Sequence, residues 1–96
     1  MSSYVLSPRA QADIEDIWDY TEARWGAGQA EAYIRQIQTA LMALAAAPEI
    51  AKACDAVRPG YRRHLVGAHV IFFRMASEGI DVVRILHGRM DLSRHL

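Results

Sequence analysis

Residues 7–26, SPRAQADIEDIWDYTEARWG, contain the start, one face and the end of a predicted helix. Ser7 is a favoured N-cap residue, and Pro8 suits the first helical position because that position needs no backbone donor. Mostly apolar side chains then recur at steps of three and four, which is the spacing of a single helix face. The residues of this predicted buried face are Ala10, Ile14, Ile17, Trp18, Thr21 and Trp25. The acidic residues expected on the opposite, solvent-exposed face are Asp13, Glu15, Asp16, Asp19 and Glu22.

A second helix is predicted directly after the first. Gly26 and Gly28 favour the end of one helix and the start of another in quick succession. The apolar residues that follow again share one helix face, and Pro48 ends the pattern. The residues of this second face are Ala30, Ile34, Ile37, Leu41 and Leu44. Because so few residues separate the two helices, the sequence predicts a helical hairpin.

The second half of the chain has the composition of β-strands. After a turn at Pro59-Gly60, stretches rich in β-branched and aromatic residues follow one another, separated by short turns. These stretches are YRRHLV (61–66), HVIFFRM (69–75) and IDVVRILH (80–87). Residues 4–6, YVL, are expected to add an edge strand, and residues 91–96 a short helical turn. The sequence therefore predicts one α+β domain over residues 1–96, of order β-α-α-β-β-β, in which a helical hairpin packs on one face of a small, mainly antiparallel sheet.

Both faces of the predicted sheet are apolar. Alternation along residues 69–75 places Ile71 and Phe73 on one face, and Val70 and Phe72 on the other. Strict alternation likewise separates Ile80, Val82, Arg84 and Leu86 from Asp81, Val83, Ile85 and His87. Two helices can cover one face, and the other would be an apolar patch with arginines, which usually marks an interaction site. The alternative is that residues 48–60, which have no clear period, fold back over that second face.

Composition narrows the class of protein. The formal net charge is +0, but residues 1–48 contain six carboxylates and three arginines, whereas seven arginines and three carboxylates follow residue 57. A near-neutral balance argues against sequence-independent nucleic-acid binding, which needs a strong positive field. The single cysteine, Cys54, excludes an internal disulfide and favours a reducing compartment. The sequence shows no signal peptide and no apolar run long enough to cross a bilayer, so a cytoplasmic protein with no membrane partner is expected.

The polar residues give limited support for catalysis. The sequence has no close-spaced set of cysteine, histidine and carboxylate ligands and no glycine-rich phosphate loop, so no metal and no cofactor are expected. General acid–base cleavage of RNA needs a proton donor, a proton acceptor and cations beside the phosphate. His87 or His64, together with Arg62, Arg63 and Arg84, could supply these groups across adjacent strands. The neutral charge balance counts against this interpretation.

Three stretches of the chain together resemble the RelE/ParE toxin superfamily. In residues 7–26 an Ala-x-x-Asp-Ile sequence is followed by Ile-x-x-Tyr, which is similar to the first helix of that family. Residues 60–75, GYRRHLVGAHVIFFRM, are similar to its pattern of Arg-Arg, a turn and Val-Ile-x-Phe. Residues 85–96, ILHGRMDLSRHL, look like the Ile-Leu-His-x-Arg-x-Asp ending of the ParE branch. The order and spacing of the three stretches extend the resemblance over essentially the whole chain.

This resemblance implies a toxin of a type II toxin–antitoxin pair. In the ParE branch such a toxin poisons DNA gyrase and is not an enzyme, and a ParD-like antitoxin neutralises it by wrapping its C-terminal tail around the toxin. The antitoxin itself binds operator DNA, so contact of the toxin with DNA would be indirect, and a heterotetramer is the expected complex. The RelE branch shares the fold and implies a different activity, ribosome-dependent cleavage of mRNA.

The resemblance also suggests where the partners bind. The candidate contacts to gyrase are His87, Arg89, Asp91 and Arg94. The candidate contacts to the antitoxin are Arg62, Arg63, Val70, Phe72, Arg74 and Arg84. Two structural alternatives remain open. Asp91 could cap the last helical turn beside Arg89, and the strand arginines could pair with Asp81 and Glu78 within the sheet.

Deletion of residues 91–96 tests the assignment of the C-terminal segment. We expect the truncated chain to lose its toxicity on induced expression, because the segment is assigned to the target contact. Binding of the antitoxin should survive, because its candidate contacts lie on the strands. Growth after induction and co-purification with the antitoxin measure the two effects. Toxicity that persists after the deletion would contradict the assignment.

Overall fold

The computed structural model describes residues 3–90 and residue 94. Within these residues the elements are β1 (Ser3–Leu6), α1 (Pro8–Trp25), α2 (Ala27–Ala46), a single 3-10 turn (Pro48–Ile50), β2 (Lys52–Ala53), β3 (Tyr61–Val66), β4 (His69–Ala76) and β5 (Gly79–His87). Of the predicted C-terminal helical turn, only Arg94 belongs to the described residues, and it is exposed. The described part of the chain contains no helix that is both long enough and apolar enough to cross a membrane.

The strands form one sheet of order β1-β5-β4-β3-β2. β1 runs parallel to β5, and the other neighbouring strands are antiparallel. The predicted α+β architecture and the order of its main elements are therefore confirmed. The structure adds the strand β2 within residues 48–60, the segment that the sequence left unassigned. In β2, Lys52 pairs with Arg63 of β3. A strand of two residues is too short to show a period, which explains why the sequence did not reveal it.

The helical hairpin packs against one face of the sheet. Phe73, Ile37 and Leu41 are completely buried between the two layers, and burial of a side chain of this kind stabilises the fold by about 1.5–3 kcal/mol. The buried members of this cluster are Ala10, Ile17, Ile37, Leu41, Leu44, Ala45, Ala51, Val66, Ile71, Phe73, Ile80, Val82 and Ile85. The predicted apolar face of α1 is wrong at Trp25, which is 64% exposed. The buried series of α1 ends one turn earlier, at Thr21.

Ser7 connects the start of α1 to the sheet. Its Oγ accepts a hydrogen bond from the backbone N–H of Ala10 at 3.0 Å, so it is the N-cap that the sequence predicted. The same hydroxyl donates to the carbonyl oxygen of Val83 at 2.8 Å, and the backbone N–H of Ser7 donates to the carbonyl oxygen of Val82 at 2.9 Å. One residue thus caps the helix and attaches its first turn to β5.

The pairing of β4 with β5 contains an irregularity. Phe73 is opposite Val82 and Phe72 is opposite Arg84, so Val83 is an extra residue in β5. The strict alternation predicted for residues 80–87 therefore holds as far as Val83 and is wrong at Ile85 and Leu86, which exchange faces. Ile80, Val82 and Ile85 belong to the cluster under the helices, whereas Val83 and Leu86 belong to a second cluster. A one-residue insertion shifts the side-chain period and cannot be read from an apolar run.

The second cluster covers the other face of the sheet. Val70 and Phe72, which were expected to form an exposed apolar patch, are only 4% and 6% exposed, so that expectation is wrong. Cys54 and Tyr61 are buried against them. Because Cys54 belongs to residues 48–60, the alternative in which this segment folds back over the second face is the one that the structure supports.

Asp13 is buried in α1, although its place among acidic residues predicted a solvent-exposed position. Its carboxylate oxygens accept hydrogen bonds of 2.8 Å from Nε and from Nη2 of Arg84. One of the same oxygens also accepts from the backbone N–H of Ile85 at 2.9 Å. The two side chains are only 10% and 14% exposed, so a nearly buried ion pair connects α1 to β5 directly after the irregular position.

Substitution of Asp13 tests how much this ion pair contributes to the free energy of unfolding. Asp13→Asn keeps the shape of the side chain but removes the charge that compensates Arg84, and breaking a buried pair in this way costs about 3–5 kcal/mol. We therefore expect a clear loss of unfolding free energy in a urea titration. The matched control is Asp16→Asn on the same helix, which is exposed and should stay within about 0.5 kcal/mol of the parent chain. Equal stability of the two variants would contradict a structural role for Asp13.

Candidate interaction groove

A groove runs between the C-terminal half of α1, the first turns of α2, the β3–β4 turn and the end of β5. Its volume is about 760 Å³. Large apolar side chains on its walls are exposed to solvent, namely Tyr20 and Trp25 at 64% each and Met90 at 44%. Exposed apolar side chains that gather along one groove usually indicate a surface for a partner. This groove is the candidate interaction site.

The ion pair between Asp13 and Arg84 forms part of the groove lining. Hydrogen bonding to Asp13 raises the pKa of the Arg84 guanidinium, although burial opposes the change. The guanidinium of Arg84 and the carboxylate of Asp13 therefore compensate each other. The pair supplies a fixed and nearly neutral part of the wall rather than a net charge.

Tyr33 connects α2 to the β3–β4 turn at the opposite wall. Its hydroxyl oxygen accepts from the backbone N–H of Ala68 at 3.2 Å and lies 2.6 Å from Nδ1 of His69 and 3.3 Å from the carbonyl oxygen of Val66. Burial raises the pKa of this phenol. Gly67 adopts φ +56° in the turn, and a Cβ atom there would come within 2.6 Å of the Tyr33 ring. Glycine therefore provides both the turn and the space that the tyrosine needs.

Two histidines lie side by side across the end of the sheet. His69 of β4 and His87 of β5 are register partners, and their ring centroids are 5.5 Å apart in an edge-to-face arrangement. Nδ1 of His87 accepts from the backbone N–H of Arg89 at 3.2 Å. Burial lowers the pKa of His69, the neighbouring His87 lowers it further, and Asp13 acts in the opposite direction. The groove therefore contains two imidazole rings, His69 and His87, in edge-to-face contact.

Two of the predicted site residues meet in this groove, because Arg84 and His87 both line it. Arg89 is exposed just beyond the end of β5, and Arg94 is also exposed. Asp91 lies outside the described residues. The structure thus brings one candidate for each partner, Arg84 for the antitoxin and His87 for gyrase, to the same surface.

The remaining arginine candidates lie outside the groove lining. Nε of Arg74 is 3.5 Å from Oδ2 of Asp81, so the predicted alternative of pairing within the sheet is confirmed for Arg74. Both side chains are largely exposed, and such a pair contributes at most about 1 kcal/mol. Arg62 donates from Nη1 to the carbonyl oxygen of Ala51 at 3.1 Å, and Arg63 is exposed.

Sequence reasoning missed several residues of the groove. Tyr33 and His69 meet across a long separation in sequence, and Met90 follows the last strand, so local patterns did not connect them. The sequence placed Trp25 and Tyr20 in the first helix but did not indicate that both are exposed on the same groove. A large aromatic residue in the last turn of a helix, next to a terminating glycine, is the one local signal that could have drawn attention to this surface.

Comparison with known proteins identifies the family. The family model described as "ParE toxin of type II toxin-antitoxin system, parDE" matches residues 4–92. The chain is 55% identical over 96 residues to Toxin ParE1 of Mycobacterium tuberculosis, and the aligned region covers 99% of this chain and 98% of that protein. It is 41% identical over 96 residues to Toxin ParE1 of Caulobacter vibrioides, with 100% and 99% of the two chains covered. It is 36% identical over 97 residues to Toxin ParE of Escherichia coli, with 100% and 94% covered.

A solved structure shows the same fold. The structure titled "Chromosomal ParDE TA system from P. aeruginosa" superposes with a TM-score of 0.78 at 21% identity, covering 91% of this chain and 96% of that chain. At this identity the likeness concerns the fold. The family model and the relatives match nearly the whole length of the chain. The chain therefore belongs to the ParE toxin family of type II toxin–antitoxin systems.

Proposed function

We propose that this toxin acts by binding and poisoning DNA gyrase rather than by catalysis, and that a ParD-like antitoxin neutralises it. The match to the ParE toxin family over residues 4–92 is the observation that carries the proposal. The exposed aromatic groove and the formal net charge of +0 support it. Both features suit contact with a protein surface better than contact with a nucleic-acid backbone.

The positions of the candidate catalytic residues also favour a non-enzymatic toxin. Cleavage of RNA was considered with His87 or His64 beside Arg62, Arg63 and Arg84. In the structure Arg84 and His87 line the groove, whereas the other three residues lie outside it. The guanidinium of Arg84 is bonded to Asp13, which reduces its capacity to stabilise the charge of a phosphorane.

The antitoxin is proposed to bind as part of a hetero-oligomer, with a heterotetramer as the simplest form. Among its candidate contacts, Arg63 is exposed and could pair with carboxylates of an antitoxin tail. Arg74 is also exposed, but such a contact would compete with its ion pair to Asp81. Val70 and Phe72 are buried, so they could contact the antitoxin only if the cover formed by Cys54 and Tyr61 moved. His87, Arg89, Asp91 and Arg94 remain the proposed contacts to gyrase.

The proposed target can be tested by induced expression with and without the antitoxin. If gyrase is poisoned, covalent gyrase–DNA complexes should accumulate when growth stops, and co-expression of the antitoxin should prevent both effects. Purified toxin should also increase DNA cleavage by purified gyrase. Arrested cells with intact DNA and normal supercoiling would contradict the proposal.

Cleavage of mRNA remains the second candidate, because Tyr33, His69 and His87 place hydrogen-bonding and titratable groups in one groove. Mapping of transcript 5′ ends after induction separates the two activities. Cuts at fixed codon positions on translated messages would favour the nuclease, and their absence together with gyrase–DNA complexes would favour the gyrase poison.

A further inference from the structure

The chain leaves β5 through a turn in which two hydrogen bonds end on one histidine. The backbone N–H of Arg89 donates to Nδ1 of His87 at 3.2 Å, and the backbone N–H of Met90 donates to the carbonyl oxygen of His87 at 2.9 Å. Gly88, which precedes Arg89, donates from its N–H to the carbonyl oxygen of Ala68 at 2.8 Å. Gly88 is therefore attached to the β3–β4 turn, whereas the direction of the chain after it depends on His87.

The bond from Arg89 fixes where His87 can take up a proton. A ring nitrogen that accepts a hydrogen bond has no proton of its own, so the neutral ring carries its proton on Nε2. The second proton must then go to Nδ1, because that is the nitrogen with a lone pair. In the charged ring both nitrogens are donors, and Nδ1 would face the N–H of Arg89 as one donor faces another. Protonation of His87 and this hydrogen bond therefore exclude each other.

His69, the register partner of His87, is arranged in the opposite way. The hydroxyl of Tyr33 donates to the carbonyl oxygen of Val66 at 3.3 Å. Its oxygen is therefore the acceptor for Nδ1–H of His69 at 2.6 Å and for the N–H of Ala68 at 3.2 Å. A second proton on His69 would go to Nε2 and would leave the bond to Tyr33 in place. Of the two rings, His87 is the one whose hydrogen bond a proton breaks.

The surroundings of His69 oppose a positive charge on its ring. Burial lowers the pKa of His69, the neighbouring His87 lowers it further, and Asp13 acts in the opposite direction. The rings of His69 and His87 are 5.5 Å apart, so two positive charges would repel each other. Arg89 follows His87 in sequence, and the titratable and charged groups that line the groove with the two rings are Asp13, Asp16, Tyr20, Arg24, Tyr33 and Arg84. The proton that acts on the turn is therefore assigned to His87, which is exposed to solvent.

We propose that His87 is a pH-sensitive switch that fixes the direction of the chain after Gly88 when its ring is neutral and releases that chain when its ring is protonated. In the neutral state the switch keeps Met90 in the wall of the groove. Loss of the bond from Arg89 leaves Gly88 attached to the β3–β4 turn and allows the residues after it to turn away. The switch itself goes beyond the proposed function. Its effect on gyrase rests on that function, because the other proposed gyrase contacts follow His87 in sequence.

Hydrogen exchange of the Arg89 amide tests the switch on the isolated chain. The protection of an amide is the exchange rate of an unstructured amide at the same pH divided by the rate that is observed. Since histidine gains its charge between about pH 8 and about pH 5, we expect the protection of Arg89 to fall about fivefold over this interval. The amide of Gly88 is the internal control and should keep its protection, because its acceptor on Ala68 does not titrate. Unchanged protection of Arg89 would overturn the proposal, and so would an equal loss at Gly88.

Substitutions of His87 separate the loss of the acceptor from a general effect of pH. In His87→Asn the side-chain oxygen can accept the N–H of the residue two positions on and does not titrate, so the protection of Arg89 should stay high at both pH values. His87→Lys has no acceptor and keeps its charge, so the protection should be low at both. His64→Asn is the matched control, because His64 lies outside the groove lining, and it should keep the pH dependence of the parent chain. A pH dependence that persists in His87→Asn, or that disappears in His64→Asn, would overturn the proposal.

Nuclear magnetic resonance of the imidazole nitrogens tests the two tautomers directly. Long-range proton–nitrogen correlations at about pH 8, where histidine is neutral, should show Nε2–H in His87 and Nδ1–H in His69. A proton on Nδ1 of His87 at this pH would overturn the proposal, because that nitrogen could not then accept from Arg89.

Cleavage of DNA by purified gyrase measures the consequence for the proposed function. The parent chain is compared with His87→Asn at each pH, so that the pH dependence of gyrase itself cancels. The ratio of the parent's effect to that of His87→Asn should fall about threefold between about pH 8 and about pH 6. A constant ratio would overturn the effect of the switch on gyrase. If neither chain increases cleavage at either pH, the proposed target is contradicted, and the exchange of the Arg89 amide, which is measured without gyrase, is unaffected.

Discussion

The carboxylate of Asp13 is the contact on which the arrangement of helices and sheet depends. It accepts hydrogen bonds from the guanidinium of Arg84 and from the backbone N–H of Ile85. The hydroxyl of Ser7, the N-cap residue of the same helix, donates to the carbonyl oxygen of Val83. The two side chains thus hold the backbone of β5 at the extra residue Val83 and, just beyond it, at Ile85. This attachment fixes α1 relative to the end of β5, and the groove exists because those two elements stay at that distance.

Local patterns predicted the elements of the fold but not the contacts that join them. The N-cap at Ser7, the glycine after α1 and the period of α2 are properties of a few neighbouring residues, and the structure confirms them. Asp13 stands in a run of acidic residues that looks like a solvated helix face, and its partner Arg84 is 71 residues away. A single sequence contains no local signal for such a pair, because its stability comes from tertiary contact and not from spacing.

The candidate site was predictable only in part for the same reason. His87 and Arg84 were recognised from their strand, yet the surface they share is completed by Tyr33 of α2 and by His69 of β4. The extra residue Val83 changes which side chains of β5 point to which face, so an alternation rule alone could not assign them. The burial of Val70 and Phe72 depended on Cys54, which lies in a segment whose short strand has no period.

The groove and the arginines of β3 and β4, both proposed as interaction surfaces, would contact a partner in two different ways. Arg63 and Arg74 are exposed on strands, where charges act through solvent and are screened by salt. In the groove the ion pair between Asp13 and Arg84 is nearly buried, and the histidines are held by Tyr33 and by the backbone of Arg89. Directional donors in a partly desolvated site discriminate between partners more strongly than a diffuse field does. The groove combines such local contacts in a fixed geometry, and for a toxin with a formal net charge of +0 it is therefore the surface we propose for partner recognition.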